Sequence, residues 1–194
     1  MTRRRETPAE GRARRGAVDD PAVVLDAAAR FLEVRPRSVD EVRRRLRDAG
    51  YRLDLVVAAI ERLTDLGMLD DEAFARAWVE SRDRARPRGE RALRSELRRK
   101  GVVDSIVTEV LGERDAGLGG GAAPDGGEAP AESADETAAA RLLARRGAAA
   151  AREADPRRRR AKAYALLARN GFDPDVAGRA VAAWLTQDGS DADE

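Results

Sequence analysis

The side chains able to do chemistry in this sequence are arginines and carboxylates. Of 37 Lys and Arg residues only Lys100 and Lys162 are lysines, and there is neither His nor Cys. A guanidinium stays charged at any working pH and meets phosphate or carboxylate with two parallel N–H bonds. Without imidazole or thiol there can be no Ser–His triad, cysteine nucleophile, disulfide or common zinc site. The run Asp70-Asp71-Glu72 offers oxygen to a hard cation, yet adjacent residues at a helix start diverge, and capping with a favourable dipole accounts for them. The glycines between 117 and 127 lack the Lys and the strand-to-helix setting of a phosphate-binding loop. The reading is of a binding protein, not an enzyme, with no cofactor and no metal.

The arginines fall at helical spacing. Arg88, Arg91 and Arg98, with Arg94 beside them, lie opposite Ala92, Leu93 and Leu97, and Arg43, Arg44 and Arg47 lie opposite Val42 and Leu46. A third group, Arg157, Arg158, Arg159, Arg160 and Lys162, surrounds a helix start whose inner face is expected to be Ala163, Tyr164 and Leu167. From Arg82 to Gly101 nine cations face three anions, so Arg82, Arg84, Arg86, Arg99 and Lys100 extend the middle group. Such rows match a phosphate backbone without reading bases; the competing reading is a solvated face laced with pairs such as Glu72–Arg76. The expected contact residues are therefore Arg43, Arg44, Arg47, Arg82, Arg84, Arg86, Arg88, Arg91, Arg94, Arg98, Arg99, Lys100, Arg157, Arg158, Arg160 and Lys162. The segments Ser105 to Leu111 and Pro174 to Leu185 carry no row of Arg, Asn or Gln, so sequence-specific reading of duplex DNA is not expected.

The elements that must hold these groups repeat. Leu46/Gly50/Tyr51/Leu55, Leu97/Gly101/Val102/Ile106 and Leu167/Gly171/Phe172/Val176 share one pattern, with Gly at the left-handed position that ends a helix. The glycines are 51 and 70 residues apart, the longer interval absorbing a Gly/Pro-rich stretch, and a period near 50 marks a helical repeat. The expected fold is all-α, tandem three-helix repeats forming an elongated, curved helical protein. Its parts are a disordered Arg-rich arm (1–20), repeat 1 (21–69), repeat 2 (70–111), a flexible Gly/Ala/Pro-rich insertion (112–134), repeat 3 (135–185) and a disordered acidic tail (186–194). Ser38 and Glu41 form a capping box, Asp54 is expected to cap the third helix, Gly67 closes it, and Asp-Pro pairs open helices at 155 and 173. The core is assigned to Leu46, Phe74, Trp78, Leu93, Leu97, Ile106, Leu167, Phe172 and Trp184, with Trp78 a packing anchor rather than a base stacker.

The block Leu69-Asp70-Asp71-Glu72-Ala73-Phe74-Ala75-Arg76-Ala77-Trp78, continuing through Arg86-Pro87-Arg88-Gly89 to Leu97-Arg98-Arg99-Lys100-Gly101, resembles the central motif of the RecX family. The resemblance is dense over 38–111 and in register over 136–185; the insertion and the Arg-rich arm depart from it. It implies a regulator that binds the RecA–single-stranded DNA filament and inhibits recombinase, ATPase and coprotease activity within homologous recombination, DNA repair and the SOS response. The expected partners are RecA and single-stranded DNA, with double-stranded DNA bound non-specifically, for a monomer in the cytoplasm. No apolar run approaches the roughly 20 residues of a membrane span. The competing reading is a nucleic-acid-coating helical protein without a dedicated recombinase partner.

Overall fold

The computed structural model describes residues 7–119 and 133–190, and every regular element among them is a helix. Arg3, Arg4 and Arg5 of the arm, most of the insertion and residues 191–194 of the tail lie outside the described residues. The chain divides into two compact units, Met1–Phe74 with Arg99–Val103 and Ala75–Arg98 with Asp104–Glu194.

The first unit holds α1 (Pro8–Gly16), α2 (Pro21–Glu33), α3 (Val39–Ala49), α4 (Leu53–Asp65) and the start of α5 (Asp71–Ala85). Its core gathers Val24 and Ala28 of α2, Val42 and Leu46 of α3, and Leu55, Val56, Ala59, Ile60 and Leu63 of α4, closed by Leu69. These positions recur at three and four residues, which puts them on one face of each helix. The Ser38–Glu41 capping box forms at the start of α3. Asp54 is not the cap expected of it: α4 begins at Leu53, so Asp54 sits inside the first turn and pairs with Arg52 at 2.7 Å.

Part of the arm is ordered. Thr7 and Glu10 form a second capping box with Pro8 in the first turn, and Gly11 is buried. Arg15 donates from Nε to the Ala49 carbonyl at 2.6 Å. The Thr-Pro-Ala-Glu signal for this helix stood in the sequence, and the cations around it masked it.

The second unit holds the rest of α5, α6 (Glu90–Arg99) up to Arg98, α7 (Asp104–Gly119), α8 (Ala134–Arg146), the short α9 (Ala148–Ala151), α10 (Pro156–Arg169) and α11 (Pro174–Ser190). Its larger core joins Ala138, Ala139, Leu142 and Leu143 of α8 to Ala163 and Leu167 of α10 and to Phe172, Ala177 and Val181. α7 runs past the expected end at Leu111, as far as Gly119. Arg114, expected in a flexible insertion, lies in α7 with its side chain 8% exposed between Asp83 and Asp135. Those ion pairs and the continued backbone ladder outweigh the roughly 1 kcal/mol per residue that glycine costs a helix. α11 likewise continues to Ser190, beyond Leu185.

Each unit contains the same pair of contacts. In the first, Asp71 accepts the Val39 N–H at 2.9 Å, and the turn at Gly101 lies against Asp40. In the second, Asp135 accepts the Glu90 N–H at 2.9 Å, and the turn at Gly171 lies against Ala92. Both glycines have φ near +80°, and a Cβ on either would come within 2.4 Å of the neighbouring side chain. Only glycine satisfies both demands.

Candidate nucleic-acid interface

The expected contact arginines sort into paired and unpaired sets. In the second unit Glu96 is a hub. It accepts from Arg82 Nε at 2.7 Å and from the Trp78 indole N–H at 2.9 Å, and stands 3.7 Å from Arg88 Nε. Arg88 also donates to Asn170 Oδ1 at 2.8 Å, while the Arg82 guanidinium stacks 4.3 Å above the Trp78 ring. Arg94 bonds Glu90 and Thr108, Arg98 makes a two-bond pair with Asp104 from 2.6 Å, and Arg84 pairs with Glu80. In the first unit Arg43 and Arg44 share Asp40, at 3.4 and 3.1 Å, and Lys100 meets Glu41 at 2.7 Å. In the third helical set Arg158 stands 3.7 Å from Asp155, and Lys162 is held by Glu153.

The middle stripe is therefore not a row of free cations, and the reason lies in where the carboxylates stand. Glu90 is one helical turn before Arg94, and Asp104 meets Arg98 across the turn that ends α6. Glu96 on α6 faces Arg82 on α5 and Arg88 in the connection between them. Arg82, Arg88, Arg94 and Lys100 are about a quarter to a third exposed and act in packing. Arg47, Arg86, Arg91, Arg157 and Arg160 are exposed and make no ion pair among the described residues. Arg99 is exposed as well, and its carbonyl accepts from Arg44.

Of the residues assigned to the core, Leu46, Phe74, Leu93, Leu97, Leu167 and Phe172 are at most 5% exposed. Trp78, Ile106 and Trp184 are only half-buried. Trp78 lies at the rim because its N–H must reach Glu96, and Trp184 packs on the edge of the second unit's core. Tyr164, expected on the inner face of α10, is 38% exposed, because Ala163 and Leu167 already fill the buried side.

Two carboxylates that read from the sequence only as helix-start acids are structural. Burial pushes the Asp71 and Asp135 carboxyls above the usual 3.8, against the N–H bonds they accept. The signal lay in register: Asp71-Glu72 precedes buried Ala75 as Asp135-Glu136 precedes buried Ala139. Glu41 is opposite in sign: burial opposes its charge, but hydrogen bonds from Lys100 and Arg35, the Lys100 charge and the Ser38 N–H lower its pKa to about 2.

Residues 25–63 match the family model of the first three-helix domain of RecX, and residues 70–111 match that of the second. Both three-helix domains are thus similar to those of the RecX family. A regulatory protein RecX of Mycobacterium sp. (strain KMS) is 43% identical over 88 residues, 45% of this chain and 48% of the relative. One from Prosthecochloris aestuarii is 40% identical over 97 residues, 50% of this chain and 64% of the relative. The chain thus spans about half the length of the mycobacterial RecX it matches. The crystal structure of RecX from Lactobacillus salivarius aligns with a TM-score of 0.68 at 20% identity, over 84% of this chain and 96% of that one. A second RecX crystal structure aligns with a TM-score of 0.62 at 18% identity, over 87% and 70%. At such identities these two likenesses show the RecX fold, tandem three-helix domains. The relatives' shared name marks a regulatory role. No helix among the described residues is long and apolar enough to cross a membrane.

Proposed function

We propose that this chain regulates RecA by binding the RecA–single-stranded DNA filament and inhibiting strand exchange, ATP hydrolysis and coprotease activity. The observation that carries the reading is a RecX scaffold on which Arg47, Arg86, Arg91, Arg157 and Arg160, spread over three helical sets, stay exposed while neighbouring arginines are consumed by internal ion pairs. Unpaired guanidiniums give up no internal partner on meeting phosphate or carboxylate, so they deliver the full charge-assisted bond. The protein acts by occupancy, as a cytoplasmic monomer without a cofactor: with no His and no Cys it has no ordinary proton shuttle or thiol nucleophile.

The test is DNA-dependent ATP hydrolysis by RecA of the same cell, titrated with this protein while single-stranded DNA is in excess. The expected result is inhibition well below saturation of the DNA, relieved by Arg86→Glu, Arg91→Glu, Arg157→Glu and Arg160→Glu together. Inhibition that sets in only as the DNA itself is saturated would mean coating of the strand, and the regulator reading would fail.

A further inference from the structure

A groove of about 210 Å³ opens between α9 and α10 in the second unit. Its floor is Ala149 and Ala150 from α9 and Ala165 and Leu166 from α10. The rim is cationic: Arg146 at the end of α8, with Lys162 and Arg169 from α10. Lys162, Leu166 and Arg169 share one face of α10 by their spacing of four and three, so the cations bracket the apolar floor. Lys162 is committed to Glu153. Arg146 and Arg169 are exposed and have no ion pair among the described residues.

No carboxylate and no aromatic ring lines this groove. That combination discriminates between ligands. A nucleic-acid strand would place phosphates on the arginines but leave its bases on alanine and leucine, with no ring to stack against. A peptide segment with an aliphatic side chain flanked by Asp or Glu would satisfy both features, because the volume suits one side chain of leucine or phenylalanine size and the rim supplies opposite charge on either side.

We infer that the α9–α10 groove is a docking site for an acidic, leucine-bearing peptide segment of a protein partner. Small floor residues let the peptide approach closely, and the two free guanidiniums fix its carboxylates. The site extends the regulator reading without depending on it, since occupancy is measurable with no recombinase present.

The experiment uses the full chain and a fluorescein-labelled peptide in which two leucines stand among Asp and Glu, followed by anisotropy. A matched peptide carrying Ser in place of Leu and an oligo(dT) strand are the comparisons. Two variants block the groove differently: Ala149→Glu puts an anion on the exposed part of the floor, and Arg146→Glu with Arg169→Glu reverses the rim. The leucine peptide should bind the unaltered chain, each variant should weaken it at least about tenfold with the melting temperature retained, and the Ser peptide should bind less tightly. Equal binding of the Ser peptide, or unchanged binding to both variants, would overturn the inference. So would loss of oligo(dT) binding in both variants with no competition from the peptide, which would make the groove a nucleic-acid site.

Discussion

Leu97 is fully enclosed in the last turn of α6, so truncating it removes packing that nothing nearby can replace. Leu97→Ala should lower stability by about 2–5 kcal/mol, read as a shift of the denaturation midpoint at unchanged slope. Trp78 belongs to a different class, because its indole N–H and stacked ring hold Glu96 and Arg82 together at the rim of the core. Glu41 carries a pH dependence. Its folded-state pKa is depressed to about 2, so the stability it contributes is present above its ordinary value of 4.5 and is lost as pH falls from there toward 2. A Glu41→Gln variant should melt at lower temperature than the unaltered chain at pH 7, and the gap should close across that acid window.

At the level of the element, two helices begin on carboxylates borrowed from distant helices. Asp71 serves α3 and Asp135 serves α6, doing for a first-turn N–H what an N-cap side chain does locally. Their loss should not cost the same. Asp71→Ala forfeits a cap, about 0.5–2 kcal/mol. Asp135→Ala also strips a partner from Arg114, whose side chain is 8% exposed, and breaking a buried ion pair costs about 3–5 kcal/mol. Chemical denaturation of the two variants should rank them in that order; equal losses would refute the role given to Arg114. Helix α1, read from the sequence as part of a disordered arm, has a capping box that the surrounding cations masked, and nothing local says that Arg15 meets the Ala49 carbonyl. Deleting residues 1–17 should therefore lower the melting temperature as well as weaken DNA binding.

For the molecule as a whole, net charge is a poor guide to binding. A chain with 37 cations and 36 anions binds a polyanion only through cations that its own carboxylates leave available. Reversing Arg86, Arg91, Arg157 and Arg160 to Glu should lower affinity for single-stranded DNA and reduce the slope of log affinity against log salt, by up to about 0.7 for each phosphate no longer neutralised. As the control in the same titration, changing Arg82 and Arg94 to Gln should leave that slope nearly intact and lower the melting temperature instead.

The repeat, the all-helical class, the left-handed glycine turns and most of the core were readable from the residues, because they rest on local signals: period, cap and left-handed glycine act within one or two turns. Which arginines face solvent was not readable, nor that Arg114 is buried or that Asp135 starts a helix 45 residues upstream. These depend on where a carboxylate from another element arrives. The free energy of a charge is set by whatever stands within a few ångströms of it, so the sequence by itself determined the helices and the resemblance to RecX, and the tertiary structure alone decided which charges remain available to a partner.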